Sequence, residues 1–193
     1  MSEDPRQNAT EATRRAHAET ARRLPPDDGV DFALARRGFL GTIPDAEIPG
    51  AWSQAPFAFL EGDRPDTVNP SLWRQARLNA LHGLYEVTPG VYQVRGFDIS
   101  NVTFVEGRDG WIVIDPLTSA QPAAAALALL RRQVRDRPVT AVIYTHSHVD
   151  HYGGVMGVLS ADAIARGVPI VAPKGFLEAA VAENVLAGNV MSR

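Results

Sequence analysis

The chain has 193 residues, with 19 basic against 22 acidic side chains, a net charge of −3, 45% apolar content and 21% charged content. That length and composition suit one compact domain or a piece of a larger one, and exclude a disordered tail or a collagen-like repeat. The mild acidity gives no general attraction to nucleic acid, so none is expected as a partner, and the absence of cysteine removes disulfides, thiolate metal ligands and cysteine nucleophiles.

In chain order, residues 1–23 interleave Glu3, Asp4, Glu11 and Glu19 with Arg6, Arg14, Arg15, Arg22 and Arg23. Without an apolar core of about 7–15 residues this is not a secretory signal, and no window approaches the ~18 apolar residues of a membrane span. A cytoplasmic location is the expectation, with a periplasmic or secreted one left open. Residues 8–23 predict a surface helix capped by Asn8, with Glu11 three positions on as in a capping box. His17 on it reads as a solvated bystander. Leu24-Pro25-Pro26-Asp27-Asp28-Gly29 ends the helix, and residues 31–66 are turn-rich. Residues 1–66 are therefore expected to form an amino-terminal helix and a wrapping arm.

At Asn69-Pro70 a second helix begins, with Asn as N-cap and Pro at the first helical position. Leu72, Trp73, Ala76, Ala80 and Leu81 follow at helical spacing, and Gly83 fits the stop. The period then changes to that of short strands at 84–87, 91–95, 102–105 and 111–115, separated by turns too short for parallel crossovers. This predicts an antiparallel meander. Helices at 122–134, 161–166 and 176–186 then alternate with strands at 141–144 and 170–172, which predicts an α/β (α+β) fold: a mixed sheet with helices on one side.

The chemistry is concentrated in Thr145-His146-Ser147-His148-Val149-Asp150-His151, which holds three of the five histidines. Neutral imidazole nitrogens and a carboxylate are donors that Zn²⁺ and similar divalent ions accept. In extended backbone, residues two apart point the same way, so His146 and His148 can close on one ion. Asp150 and His151 follow a turn and can face a second. Gly153-Gly154 permit close backbone approach and open the next helix. The loop also follows the apolar strand Ala141-Val142-Ile143-Tyr144, and open α/β sheets bind ligands beyond the carboxyl ends of their strands.

The motif His146-x-His148-x-Asp150-His151 resembles the metal-binding element of the metallo-β-lactamase fold superfamily. A narrower resemblance, over about residues 55–193, is to the linear (primary) alkylsulfatases, the zinc-dependent detergent-degrading branch. It rests on Asn69-Pro70-Ser71-Leu72-Trp73-Arg74-Gln75, Val91-Tyr92-Gln93-Val94-Arg95-Gly96, Ile112-Val113-Ile114-Asp115-Pro116-Leu117 and the histidine loop. The resemblance implies an αββα sandwich, of which residues 67–193 would be the first half. It implies zinc, two ions in the whole protein, with His146 and His148 on one and Asp150 and His151 on the other. It also implies hydrolysis of alkyl sulfate esters to alcohol and sulfate by a metal-activated water, with Asp150 both ligand and orienter of that water. A homodimer is implied for the whole protein.

Two zinc ions with at least three protein donors each need about six ligand positions, and the motif supplies four residues. In the family the remainder come from downstream, so the chain is expected to be the amino-terminal portion of a longer protein. Two alternatives stand: a hydrolase of the same superfamily acting on thioesters, lactones or phosphoesters, and a non-catalytic metal-binding fragment.

Asp115 has two open readings: an acceptor for a ligand histidine or the metal loop, or a turn-capping residue. Thr145 and Ser147 read as local loop bonds. Glu178 and Glu183 read as structural helix residues, Tyr152 and Asn101 as turn or packing residues, and Trp73 and Trp111 as core anchors.

Overall fold

The computed structural model describes residues 8–44, 48 and 53–188. The first seven residues of the expected arm and the last five of the expected catalytic segment lie outside the described residues. The chain divides into two compact units: Met1–Ala35 with Ala55–Leu81, and Arg36–Gln54 with His82–Arg193.

The first unit is helical. Helix α1 (Glu11–Arg23) is capped by Thr10, whose hydroxyl accepts from Thr13 N at 3.1 Å. The cap is thus Thr10 and not Asn8, because Thr10 has the extended φ/ψ of an N-cap and places Glu11 in the first turn, beside the positive end of the helix dipole. None of its residues is buried. His17 is hydrogen-bonded and not merely solvated, since its Nδ1 meets Asp66 O at 2.8 Å. Helix α2 (Val30–Arg36) and a 3-10 segment (Ala55–Glu61) follow in sequence. Helix α3 (Pro70–Asn79) starts as its sequence demands, with Asn69 Oδ1 accepting from Ser71 N at 2.9 Å. Arg74 on α3 bonds Asp27 at 3.1 Å and Asp31 at 2.8 Å, which holds the Asp27 carboxyl below the usual carboxylate range.

The second unit is built on a seven-stranded sheet whose spatial order equals its sequence order. Its strands are β1 (Phe39–Gly41), β2 (Gly83–Thr88), β3 (Val91–Arg95), β4 (Val102–Glu106), β5 (Trp111–Ile114), β6 (Val139–Ile143) and β7 (Ile170–Val171). Pairs from β1 to β5 are antiparallel, and β5–β6 and β6–β7 are parallel. The parallel joins need long crossovers. Helix α4 (Ala120–Gln133) provides the first, and α5 (Val155–Val158) with α6 (Ala161–Ala165) the second. The mixed α/β architecture expected for the first half of an αββα sandwich is present.

Register builds the core. Val94 pairs with Val102, Phe104 with Val113 and Val113 with Val142, and each of these side chains is fully buried. Ala123, Ala126, Leu127 and Leu130 of α4 belong to the same cluster, each larger side chain contributing about 1.5–3 kcal/mol by burial. Trp111 anchors the far end, edge-on to Tyr92 at 5.6 Å, with Nε1 donating to Arg135 O. Among the described residues no helix is long and apolar enough to cross a membrane.

Candidate metal centre

Two neighbouring parallel strands, β5 and β6, deliver the site at their carboxyl ends. Asp115 N still donates to Ile143 O at 3.0 Å, after which the chain turns sharply. Asp115 and Leu117 both have left-handed backbones, at φ 55° and 65°, and Leu117 N closes back on Asp115 O at 2.9 Å. Such conformations cost about 1–2 kcal/mol for residues other than glycine. The buried Leu117 side chain and the hydrogen bonds of Asp115 hold the turn in place.

The Asp115 side chain is the hub. Oδ1 accepts from Thr145 N at 2.8 Å, and Oδ2 accepts from Thr145 Oγ1 at 2.6 Å and meets His151 Nδ1 at 2.9 Å. This decides its role in favour of an acceptor for the histidine loop. The Thr145 hydroxyl has one proton and gives it to Asp115, so at 2.9 Å from His146 Nδ1 it accepts from that ring. A carboxylate likewise only accepts, so His151 donates from Nδ1. Nε2 of His146 and of His151 is thus left outside these bonds, and Asp115, His146 and His151 bring ligand-type atoms within 4.8 Å of one another. Both Asp115 oxygens are occupied by these bonds, which makes it an orienting residue.

The three rings converge. His146 lies 4.6 Å from His148 and 4.1 Å from His151, centroid to centroid. Asp150 Oδ2 stands 3.2 Å from His151 Nε2. That contact sets a ring nitrogen and a carboxylate oxygen side by side, the two kinds of atom a divalent ion accepts. The donor set of three imidazoles and a carboxylate fits a divalent metal.

Packing from elsewhere holds the loop. Asp150 and His151 lie on a 3-10 turn (Val149–His151), and Ser100 Oγ donates to Asp150 O. Asp98, buried in the same β3–β4 connection, accepts from Thr118 N and Oγ1, both at 3.0 Å. Gly154 N donates to Leu117 O at 2.9 Å, an approach so close that a Cβ there would sit 1.9 Å from Pro116 O. Tyr144, Tyr152 and Phe176 form an aromatic trio with centroids 5.2–5.9 Å apart. Burial pushes the Tyr144 hydroxyl above its ordinary pKa, with Tyr152 adding to the effect.

Helix α7 (Phe176–Val181) continues as a π-helical turn (Ala182–Leu186), from which Glu183 Oε1 reaches His148 Nε2 at 3.0 Å. Glu183 is therefore at the site and not a plain helix residue. Sequence reasoning missed Asp98 and Ser100, whose trace was their polarity inside a short connection between apolar strands, and it gave Glu183 a structural role.

Residues 95–179 match the family model of the Metallo-beta-lactamase superfamily, and this sheet and loop are of that fold. That fold implies a bound metal. Over nearly its whole length the chain is, more particularly, a homologue of the alkylsulfatases. It is 52% identical to a linear primary-alkylsulfatase of Pseudomonas sp., over 96% of this chain and 29% of that protein. It is 49% identical to the alkyl/aryl-sulfatase BDS1 of Saccharomyces cerevisiae, over 94% of this chain and 29% of that one. Among solved structures, that of the stereoselective inverting sec-alkylsulfatase Pisa1 from Pseudomonas sp. superposes with a TM-score of 0.86 and 43% identity, over 96% of this chain and 30% of that one. The chain thus spans less than a third of the length of these relatives and matches their amino-terminal part.

Proposed function

We propose that this chain carries the histidine loop of a zinc-dependent alkylsulfatase, which hydrolyses linear alkyl sulfate esters to the alcohol and sulfate. The observation that carries the reading is the convergence of His146, His148, Asp150 and His151 beyond β6, in a chain about half identical to alkylsulfatases. In this reading His146 and His148 hold one zinc ion, and Asp150 and His151 hold a second. When bound, such a metal supplies Lewis acidity: it brings the pKa of water toward about 7 and neutralises charge on ester oxygens.

The residues do the rest. Thr145 and Asp115 keep His146 and His151 in the tautomers that can bind metal. Asp150, anchored through its carbonyl by Ser100, keeps its carboxylate beside His151, where it orients the attacking water. Water supplies the oxygen in either direction of cleavage: where the S–O bond breaks, the water oxygen stays on sulfur and one of its protons goes to the leaving alkoxide, and where the C–O bond breaks, sulfate leaves and the water oxygen stays on carbon as the alcohol after losing one proton to solvent. Homodimerisation of the whole protein belongs to the same reading and rests on the resemblance alone.

The test is sulfate release from a medium-chain alkyl sulfate by the whole protein, before and after chelation and after zinc is restored. Activity lost on chelation and regained with zinc is the expected result. Activity that survives exhaustive chelation overturns the metal reading. Chelator-sensitive cleavage of a thioester or phosphoester, with alkyl sulfates ignored, overturns only the substrate.

A further inference from the structure

Glu183 lies four residues beyond the stretch that matches the superfamily model, and 32 residues beyond His151. Its carboxylate is largely covered, at 19% side-chain exposure, while its partner His148 is 58% exposed. The glutamate is thus the covered member of the pair and the imidazole the exposed one. Three further contacts dock its segment on the loop. Asn184 Nδ2 donates to Tyr152 Oη at 3.0 Å, and Phe176 stacks on Tyr144 and meets Tyr152 edge-on. The segment is also the one π turn among the described residues, closed by Ala187 N to Ala182 O at 3.0 Å, and such turns are frequently found at functional sites.

Each of the other two histidines has its outer nitrogen held, His146 by Thr145 and His151 by Asp115, both at Nδ1. His148 is held at the opposite nitrogen. A carboxylate oxygen accepts, so the ring donates from Nε2 to Glu183, and Nδ1 is the nitrogen left outside that contact. We infer that Glu183 is a positioning residue that fixes His148 in the Nε2–H tautomer and so makes Nδ1 its metal-binding atom. The inference deepens the metal-centre reading and rests on it for the metal alone; the tautomer itself is a property of the chain without metal. Such outer partners are typically worth 10–100-fold in metal affinity.

The experiment uses the full chain and its Glu183→Gln and Glu183→Leu variants. Two-bond ¹H–¹⁵N spectra of the imidazoles are recorded without metal, with His148 assigned by comparison with His148→Ala. Cobalt(II) affinity is then measured by competition with a chelating dye, and circular dichroism confirms the fold. The expected result is a protonated Nε2 on His148 in the wild-type chain and in Glu183→Gln, whose side-chain carbonyl still accepts. Glu183→Leu should show a mixed tautomer and bind cobalt at least about tenfold more weakly, while Glu178→Gln behaves as wild type. A His148 that keeps the same tautomer in Glu183→Leu, or is protonated at Nδ1 in the wild type, overturns the inference. A wild-type chain that binds no cobalt overturns the metal-centre reading, and the tautomer spectra then still uphold or overturn the role of Glu183.

Discussion

Asp115 and His151 stand 36 residues apart in sequence, and their side chains meet at 2.9 Å because β5 and β6 end side by side. The same Asp115 oxygen takes the Thr145 hydroxyl proton at 2.6 Å. In Asp115→Asn an amide N–H₂ would face two donors, which turns His151 to the other tautomer and points an N–H at the metal position. We expect metal affinity to fall 10–100-fold and stability to drop by about 1–3 kcal/mol. Dye competition and urea denaturation measure the two; an unchanged affinity would remove Asp115 from the orienting role.

The histidines separate into those that bind and those that do not. His151→Ala takes a donor from the centre of the cluster, so cobalt or zinc binding by the chain should fall below detection. His17→Ala removes only one exposed bond to Asp66 O, costing about 0.5 kcal/mol and leaving binding intact. Metal titration of both variants side by side checks this, and equal affinities would place the metal elsewhere.

Two glycines are expected to differ for opposite reasons. Gly154 has an ordinary negative φ, but an added Cβ would meet the backbone oxygens of Pro116 at 1.9 Å and Ser119 at 2.6 Å. Gly167 has φ of 86° with open space around it. Gly154→Ala should therefore cost about 3 kcal/mol by overpacking and loosen the metal loop, whereas Gly167→Ala should cost about 1 kcal/mol of backbone strain. Urea midpoints decide; similar values for the two would contradict the close approach.

Stability should fall at high pH. Burial raises the hydroxyl pKa of Tyr85, Tyr92 and Tyr144 above the ordinary value of 10.0. The unfolded chain then releases these protons first, so the stabilisation is complete below pH 10 and is lost as pH rises through the folded-state values. Urea midpoints at about pH 8 and about pH 11 measure it, together with phenolate absorbance, which should rise with unfolding. Ionisation of all the tyrosines near pH 10 in a still-folded chain would contradict the burial.

The histidine loop was legible because metal-donor chemistry is local: His146, His148, Asp150 and His151 lie within six residues, behind a strand whose apolar run is equally plain. Strands β2 to β5 and the Asn69-Pro70 cap were legible for the same reason, since alternation and capping are nearest-neighbour signals. Strand β1 was not, because three residues with mostly exposed side chains show no period, and its pairing to β2 is set by the partner. The helix start read at Asn8 fell instead at Thr10, where the backbone turns extended. Which nitrogen each imidazole turns inward depends on Thr145, Asp115 and Glu183, and where Asp150 stands depends on Ser100. Apart from Thr145 beside His146, those partners lie 30 to 50 residues from the groups they hold, and sheet register and helix docking bring them there. Such contacts leave no spacing in the chain to read, so tertiary structure alone assigned the hands that hold the metal loop, while the sequence had already written the loop itself.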